Sequence, residues 1–165
     1  KREIATIQTV AKSVRSKEAL YFAVECLEPE MGKTVAKKRI DPAHPWHEFG
    51  DHIELFYQHP DMAEKCYHMM INSEGQMFCG IQVTSANFDG NFTTRAQVAV
   101  KRYPDKWVAE VMVPTSEIGM QCFDGASWRA NIARQRVLGD GSRESSSAAN
   151  GDFNGTGNHV NLKFR

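Results

Sequence analysis

Apolar and polar residues alternate with a period of two through much of this chain, in runs separated by turn-forming residues. Successive side chains of a strand point to opposite faces, so each run predicts a strand with one dry and one wet side. Leu20, Phe22, Val24 and Cys26 share a face of one run, and Ile53, Leu55 and Tyr57 share a face of the next. Met77, Cys79, Ile81 and Val83 form a third. Ala96, Val98 and Val100 alternate with Arg95, Gln97 and Lys101; Val160, Leu162 and Phe164 alternate with His159, Asn161 and Lys163. Near the start, Ile4, Ile7, Val10 and Val14 are spaced as on a helix, but the segment is rich in strand formers, and a strand is expected there.

Breakers fall between these runs. Asn72-Ser-Glu-Gly75 and Asn87-Phe-Asp-Gly-Asn91 read as hairpin turns. Two stretches read as long loops: 28–50, with its Pro, His, Lys and Glu, and 139–158, which is glycine- and serine-rich with almost nothing apolar. The sum is an all-β, antiparallel two-sheet β-sandwich, jelly-roll or immunoglobulin-like, of about nine strands. One domain spanning residues 1–165 is expected.

Composition narrows the partners. Twenty basic and twenty acidic residues cancel, which argues against duplex nucleic acid as a partner. No window approaches the ~20 apolar residues that would insert in a membrane. At 165 residues the chain can bury roughly 70% of its unfolded surface. Cys26, Cys66, Cys79 and Cys122 lack C-x-x-C spacing and lie among apolar neighbours, so small buried hydrophobes are expected rather than bridges or a zinc ribbon. The start at Lys1 without a leader suggests a domain processed or excised from something longer.

Trp107-Val-Ala-Glu-Val-Met-Val-Pro114 is followed closely by Trp128-Arg-Ala-Asn-Ile-Ala-Arg-Gln-Arg136. This pair resembles the C-terminal strands of the family-nine-like carbohydrate-binding modules, related to the DOMON-type sandwiches. Ala19-Leu-Tyr-Phe-Ala-Val-Glu-Cys-Leu-Glu-Pro29, Gly50-Asp-His-Ile-Glu-Leu-Phe56, Met70-Ile-Asn-Ser-Glu-Gly75 and the closing Asn161-Leu-Lys-Phe164 follow in the family's order. The resemblance implies a secreted, periplasmic or cell-surface module that binds poly- or oligosaccharide without catalysing its breakdown. It also implies a covalent link to other domains, such as a glycoside hydrolase or a surface glycan-handling protein. The family's opening motif is absent. Of its two sugar-stacking tryptophans, Trp46 supplies the first, while Arg143-Glu-Ser-Ser-Ser-Ala-Ala149 stands where the second belongs. The family's strand arginine falls near Met69 or Met70.

Five residues form the candidate ligand site: Trp46, Glu54, Asn131, Arg134 and Arg136. An indole stacks on the C–H face of a pyranose, and carboxylate, amide and guanidinium groups match its hydroxyls. The competing reading makes Trp46 a loop anchor and the arginines ion-pair partners, Arg134 with Glu110 or Glu54. Alternation places Asn131 opposite Arg134 and Arg136, so all three share a surface only if the strand bulges. Asp51 and Glu54 likewise diverge, which argues against a glycosidase carboxylate pair.

Four further expectations concern metals and alternatives. His44, His47, Glu48, Asp51 and His52 crowd together, but their spacing is not a helical zinc motif. Calcium fits better, because the resemblance allows it and the loops 87–91 and 150–154 offer hard oxygens. A b-type haem electron-transfer sandwich, with ligands from His68, Met69, Met70 and Met77, is the first alternative function. A structural module with a decayed sugar site is the second.

Overall fold

A computed structural model of the chain describes residues 4–39, 49–59, 65–84, 87–117, 127–149 and 159–163. Strands β1 (Thr9–Arg15) and β2 (Ala19–Leu27) precede a single 3-10 turn at Met31–Lys33. There follow β3 (His52–Gln58), β4 (Cys66–Asn72), β5 (Met77–Thr84), β6 (Asn87–Asp89), β7 (Gln97–Arg102) and β8 (Lys106–Pro114). The series ends with β9 (Ser127–Val137), β10 (Arg143–Ser147) and β11 (Val160–Lys163). They form two antiparallel sheets, a four-stranded one ordered β1-β2-β8-β7 and a seven-stranded one ordered β10-β9-β3-β4-β5-β6. The long strand β9 pairs β3 along one side; β11 takes Ser127–Ala130 and β10 takes Ala133–Val137 along the other.

The expected alternation builds the core. Leu20, Phe22, Val24 and Cys26 of β2 and Trp107, Ala109, Val111 and Val113 of β8 meet Ile53, Leu55 and Tyr57 of β3, with Tyr67, Met69 and Ile71 of β4. Trp107 and Trp128 are both fully buried, as core residues should be. The N-terminal segment is a strand, and its helically spaced Ile4, Val10 and Val14 are exposed rather than a buried stripe. Cys26, Cys66 and Cys79 are free and buried, and burial pushes each thiol up to about 12. Cys122 lies outside the described residues.

Turn chemistry closes the β4–β5 hairpin where expected. The Asn72 side-chain oxygen accepts from the amides of Glu74 and Gln76, and Gly75 adopts φ +81°. Two expectations are corrected. The stretch 139–158 is not one loop, because Arg143–Ser147 forms β10; as an exposed edge strand it needs no apolar face, so it leaves no alternation to read. At the closing strand, His159 is buried and Val160 is 38% exposed, against the expected alternation, whereas Leu162 packs on the core with Asn161 and Lys163 exposed, as expected.

A buried chain of charges ties the two sheets. Arg134 makes a bidentate pair with Asp51, at 3.0 and 2.8 Å, and donates to the Leu27 carbonyl at 2.7 Å. Its Nη2 also reaches Glu28, 3.3 Å away. Arg136 grips the same Glu28 carboxylate at 2.7 and 2.9 Å, and Trp107 of the smaller sheet donates to Asp51 at 3.1 Å. Burial pushes the Glu28 carboxyl upward, but hydrogen bonds from Arg136 and the Glu30 amide, with both guanidinium charges, hold it below the usual range.

Removing one member strands its partners without solvent. Arg134→Ala is expected to cost about 3–5 kcal/mol in urea unfolding. Arg134→Met combined with Asp51→Asn should recover part of that loss, because the amide oxygen still accepts from Trp107. Equal instability of the single and double variants would show that the charges do not carry the effect.

Candidate functional site

The central strands β3 and β4 are buried along their whole length, on both faces. The inner face is the core. The outer face carries His52, Glu54 and Phe56 from β3, with His68 and Met70 from β4. Asn131 comes from β9. Register sets Glu54 between Met70 and Ala133, and Phe56 between His68 and Asn131. Glu54 and Asn131 are therefore diagonal neighbours on adjacent strands, with Cα atoms about 7–8 Å apart.

Glu54 is the electrostatic centre of this face. Its two oxygens lie 3.3 Å from His52 Nε2 and 2.6 Å from His68 Nε2. His52 Nδ1 sits 2.7 Å from the Gly50 carbonyl, so both its nitrogens face acceptors. Burial pushes the Glu54 carboxyl upward, but the hydrogen bonds and charges of the two histidines outweigh it and bring it down to about 2.

Aromatic rings pack around this polar centre. Phe56 stacks on His68 at 4.1 Å, Phe88 meets His68 edge-on at 5.6 Å, and His159 lies 5.7 Å from Phe56. Gly80 makes the Phe88 contact feasible: a Cβ there would stand 2.1 Å from the Phe88 ring. Asn131 is oriented from β10, its Oδ1 accepting from Ser147 Oγ and the Ala149 amide, both at 2.9 Å. Among the described residues, its Nδ2, His68 Nδ1 and both nitrogens of His159 have no hydrogen-bond partner.

The expected site residues separate. Glu54 and Asn131 share the outer face. Arg134 and Arg136 do not: β9 runs through these positions without a bulge, and parity sends both guanidiniums inward to Asp51 and Glu28. Arg134 is thus an ion-pair partner, although of Asp51 and Glu28 rather than Glu110 or Glu54. Trp46 lies outside the described residues, as do His44, His47 and Glu48. Asp51 points inward and His52 outward, so these two side chains do not converge. The same parity keeps the Asp51 and Glu54 carboxylates on opposite faces.

His68 was the residue undervalued by sequence reasoning, which considered it only as a haem ligand. The haem set itself is dispersed. Met69 is in the core, Met77 packs against it, and His68 Nε2 is taken by Glu54. Of the proposed calcium loops, Asp89 accepts from the backbone and side chain of Asn91, and 150–154 lies outside the described residues. Among the described residues no three His, Cys, Asp or Glu side chains gather as a metal site would.

Solved structures share this architecture. A family-9 carbohydrate-binding module from Caldicellulosiruptor kristjanssonii, in complex with glucose, matches with TM-score 0.72 at 14% identity, over 99% of this chain and 79% of that chain. A family-9 module from the same organism, in complex with cellotriose, matches with TM-score 0.64 at 18% identity, over 98% and 78%. A Bacteroides uniformis protein proposed to bind carbohydrate matches with TM-score 0.69 at 12% identity, over 96% and 79%. No protein-family model and no curated protein matches the sequence. The chain has the β-sandwich fold of the family-9 carbohydrate-binding modules.

Acid should dismantle this face in two steps. Burial, followed by the Arg129 charge, lowers the His159 imidazole from 6.5 to about 4. The unfolded chain therefore takes that proton first, and stability falls as pH drops from about 6.5 to about 4. Glu54 contributes fully above about pH 4.5, and its contribution is lost as pH falls toward 2. Urea midpoints against pH should show both limbs, with His159→Asn flattening the upper and Glu54→Gln the lower. An unchanged upper limb in His159→Asn would contradict the assignment.

Proposed function

We propose that this chain is a non-catalytic carbohydrate-binding module that takes a glucose-type oligosaccharide on the outer face of the seven-stranded sheet. The observation that carries the proposal is the set of buried, unpartnered polar atoms beside Glu54, above all Asn131 Nδ2. The same fold occurs in modules solved with glucose and cellotriose. A sugar hydroxyl both donates and accepts. It can take the Asn131 amide hydrogen and give its own hydrogen to Glu54, while the half-buried Phe88 ring provides apolar surface. Trp46 is the stacking platform in this reading.

The module serves as an accessory domain of a glycoside hydrolase or surface glycan-handling protein and works outside the cytoplasm. Calcium, if bound, supports a loop at the rim. Arg134 and Arg136 hold the scaffold instead of touching the sugar.

Calorimetry with glucose, cellotriose and a panel of plant, algal and host polysaccharides tests this directly. Affinities of roughly millimolar to micromolar are expected. Asn131→Asp keeps the acceptor used by Ser147 and Ala149 but removes the donor, and should weaken binding about tenfold or more. Trp46→Ala should abolish it. A folded wild-type protein that binds none of these saccharides would overturn the proposal.

A further inference from the structure

The opposite side of the molecule carries a concave surface. The outer face of the four-stranded sheet holds a hollow of about 650 Å³, open along its length. Register arranges two rows across it: Lys12, Ala23, Glu110 and Ala99, then Val14, Tyr21, Met112 and Gln97. The two alanines make the first row low. The second row rises beside it as an apolar bank, with Tyr21 39% exposed and Val14 63% exposed. Four strands at ~4.8 Å spacing make this trough roughly 14 Å across, longer than one sugar ring.

From this geometry we infer that the trough is a second saccharide-binding site, taking the interior of a neutral glycan chain. Tyr21 provides the stacking surface, and Ala23 and Ala99 leave room for a ring. Lys12, Glu110 and Gln97 project from the same face and form no ion pair or hydrogen bond among the described residues. Lys12 and Glu110 carry opposite charges that cancel, which suits an uncharged polyhydroxyl ligand better than an anionic one.

An extended peptide fits this surface poorly. Strand addition would extend the sheet beyond its outer strands β1 or β7 and would not fill the trough that lies across its face. A peptide laid across it would bring its own amides onto an apolar floor without partners. A pyranose instead sets its C–H face on Tyr21 and Met112 and turns its hydroxyls toward Lys12, Glu110 and Gln97.

Amide chemical shifts of the labelled full chain separate this trough from the opposite face. Titration uses cellohexaose, xylohexaose, mannohexaose and, as contrast, an alternating Ser/Val peptide. At least one hexasaccharide should move the amides of Tyr21, Ala23, Ala99 and Glu110 saturably. Phe56 and Asn131 report the other face independently, so either site can fail alone. Tyr21→Ala and Glu110→Gln should each weaken the trough titration, the former roughly tenfold. No shift on this sheet with any of the three glycans, shifts with the peptide alone, or an undiminished titration in both variants would overturn the inference.

Discussion

The Arg134 guanidinium, fully buried between Asp51 and Glu28, is the constraint on which this architecture turns. A charge in the gap between two sheets is tolerated only when every hydrogen-bonding direction is met. Meeting them brings together the end of β2, the segment entering β3, the middle of β9 and, through Trp107, strand β8 of the other sheet. Gly50 shapes the entry to β3: at φ +73° its backbone passes so close to Val35 that a Cβ would stand 2.1 Å from that carbonyl oxygen. The neighbouring Asp51 amide then donates to Val35. Hydrophobic contact alone would let the sheets slide; paired charges fix where they lie.

That anchoring sets the outer face by parity. With Asp51 held inward, His52, Glu54 and Phe56 turn outward along β3, and the register with β9 brings Asn131 beside them. The carboxylate is stabilised there by two histidines. The arrangement is polar and enclosed, with polar nitrogens of Asn131, His68 and His159 left without a partner among the described residues. Rigid elements carry these groups, so a ligand would meet groups already ordered and lose less in organising them.

Much of the scaffold was legible because half-buried strands alternate. The inner faces of β2, β3 and β5 follow from Leu20 to Cys26, Ile53 to Tyr57 and Met77 to Ile81. Strand β10 was not legible, since an edge strand of serines buries nothing that would mark it. Parity alone separated Asn131 from Arg134, but the partners Asp51 and Glu28 come from loops whose approach no local pattern encodes. Glu54 and Asn131 were reached through resemblance. His68 sits in an unbroken buried strand, where period-two contrast vanishes because both faces are dry.

The least readable strand has the most direct bearing on Asn131. An asparagine amide turns freely about its last torsion unless one end is held. Ser147 and Ala149 occupy the Oδ1 end, which fixes the orientation of the Nδ2 amide group. Gly141, at φ +86°, sits in the turn that returns the chain from β9 to β10. A serine-rich edge that looks like filler thereby positions the Asn131 donor. The same serine run stands where the resemblance would place a second tryptophan, and here it orients a polar group instead.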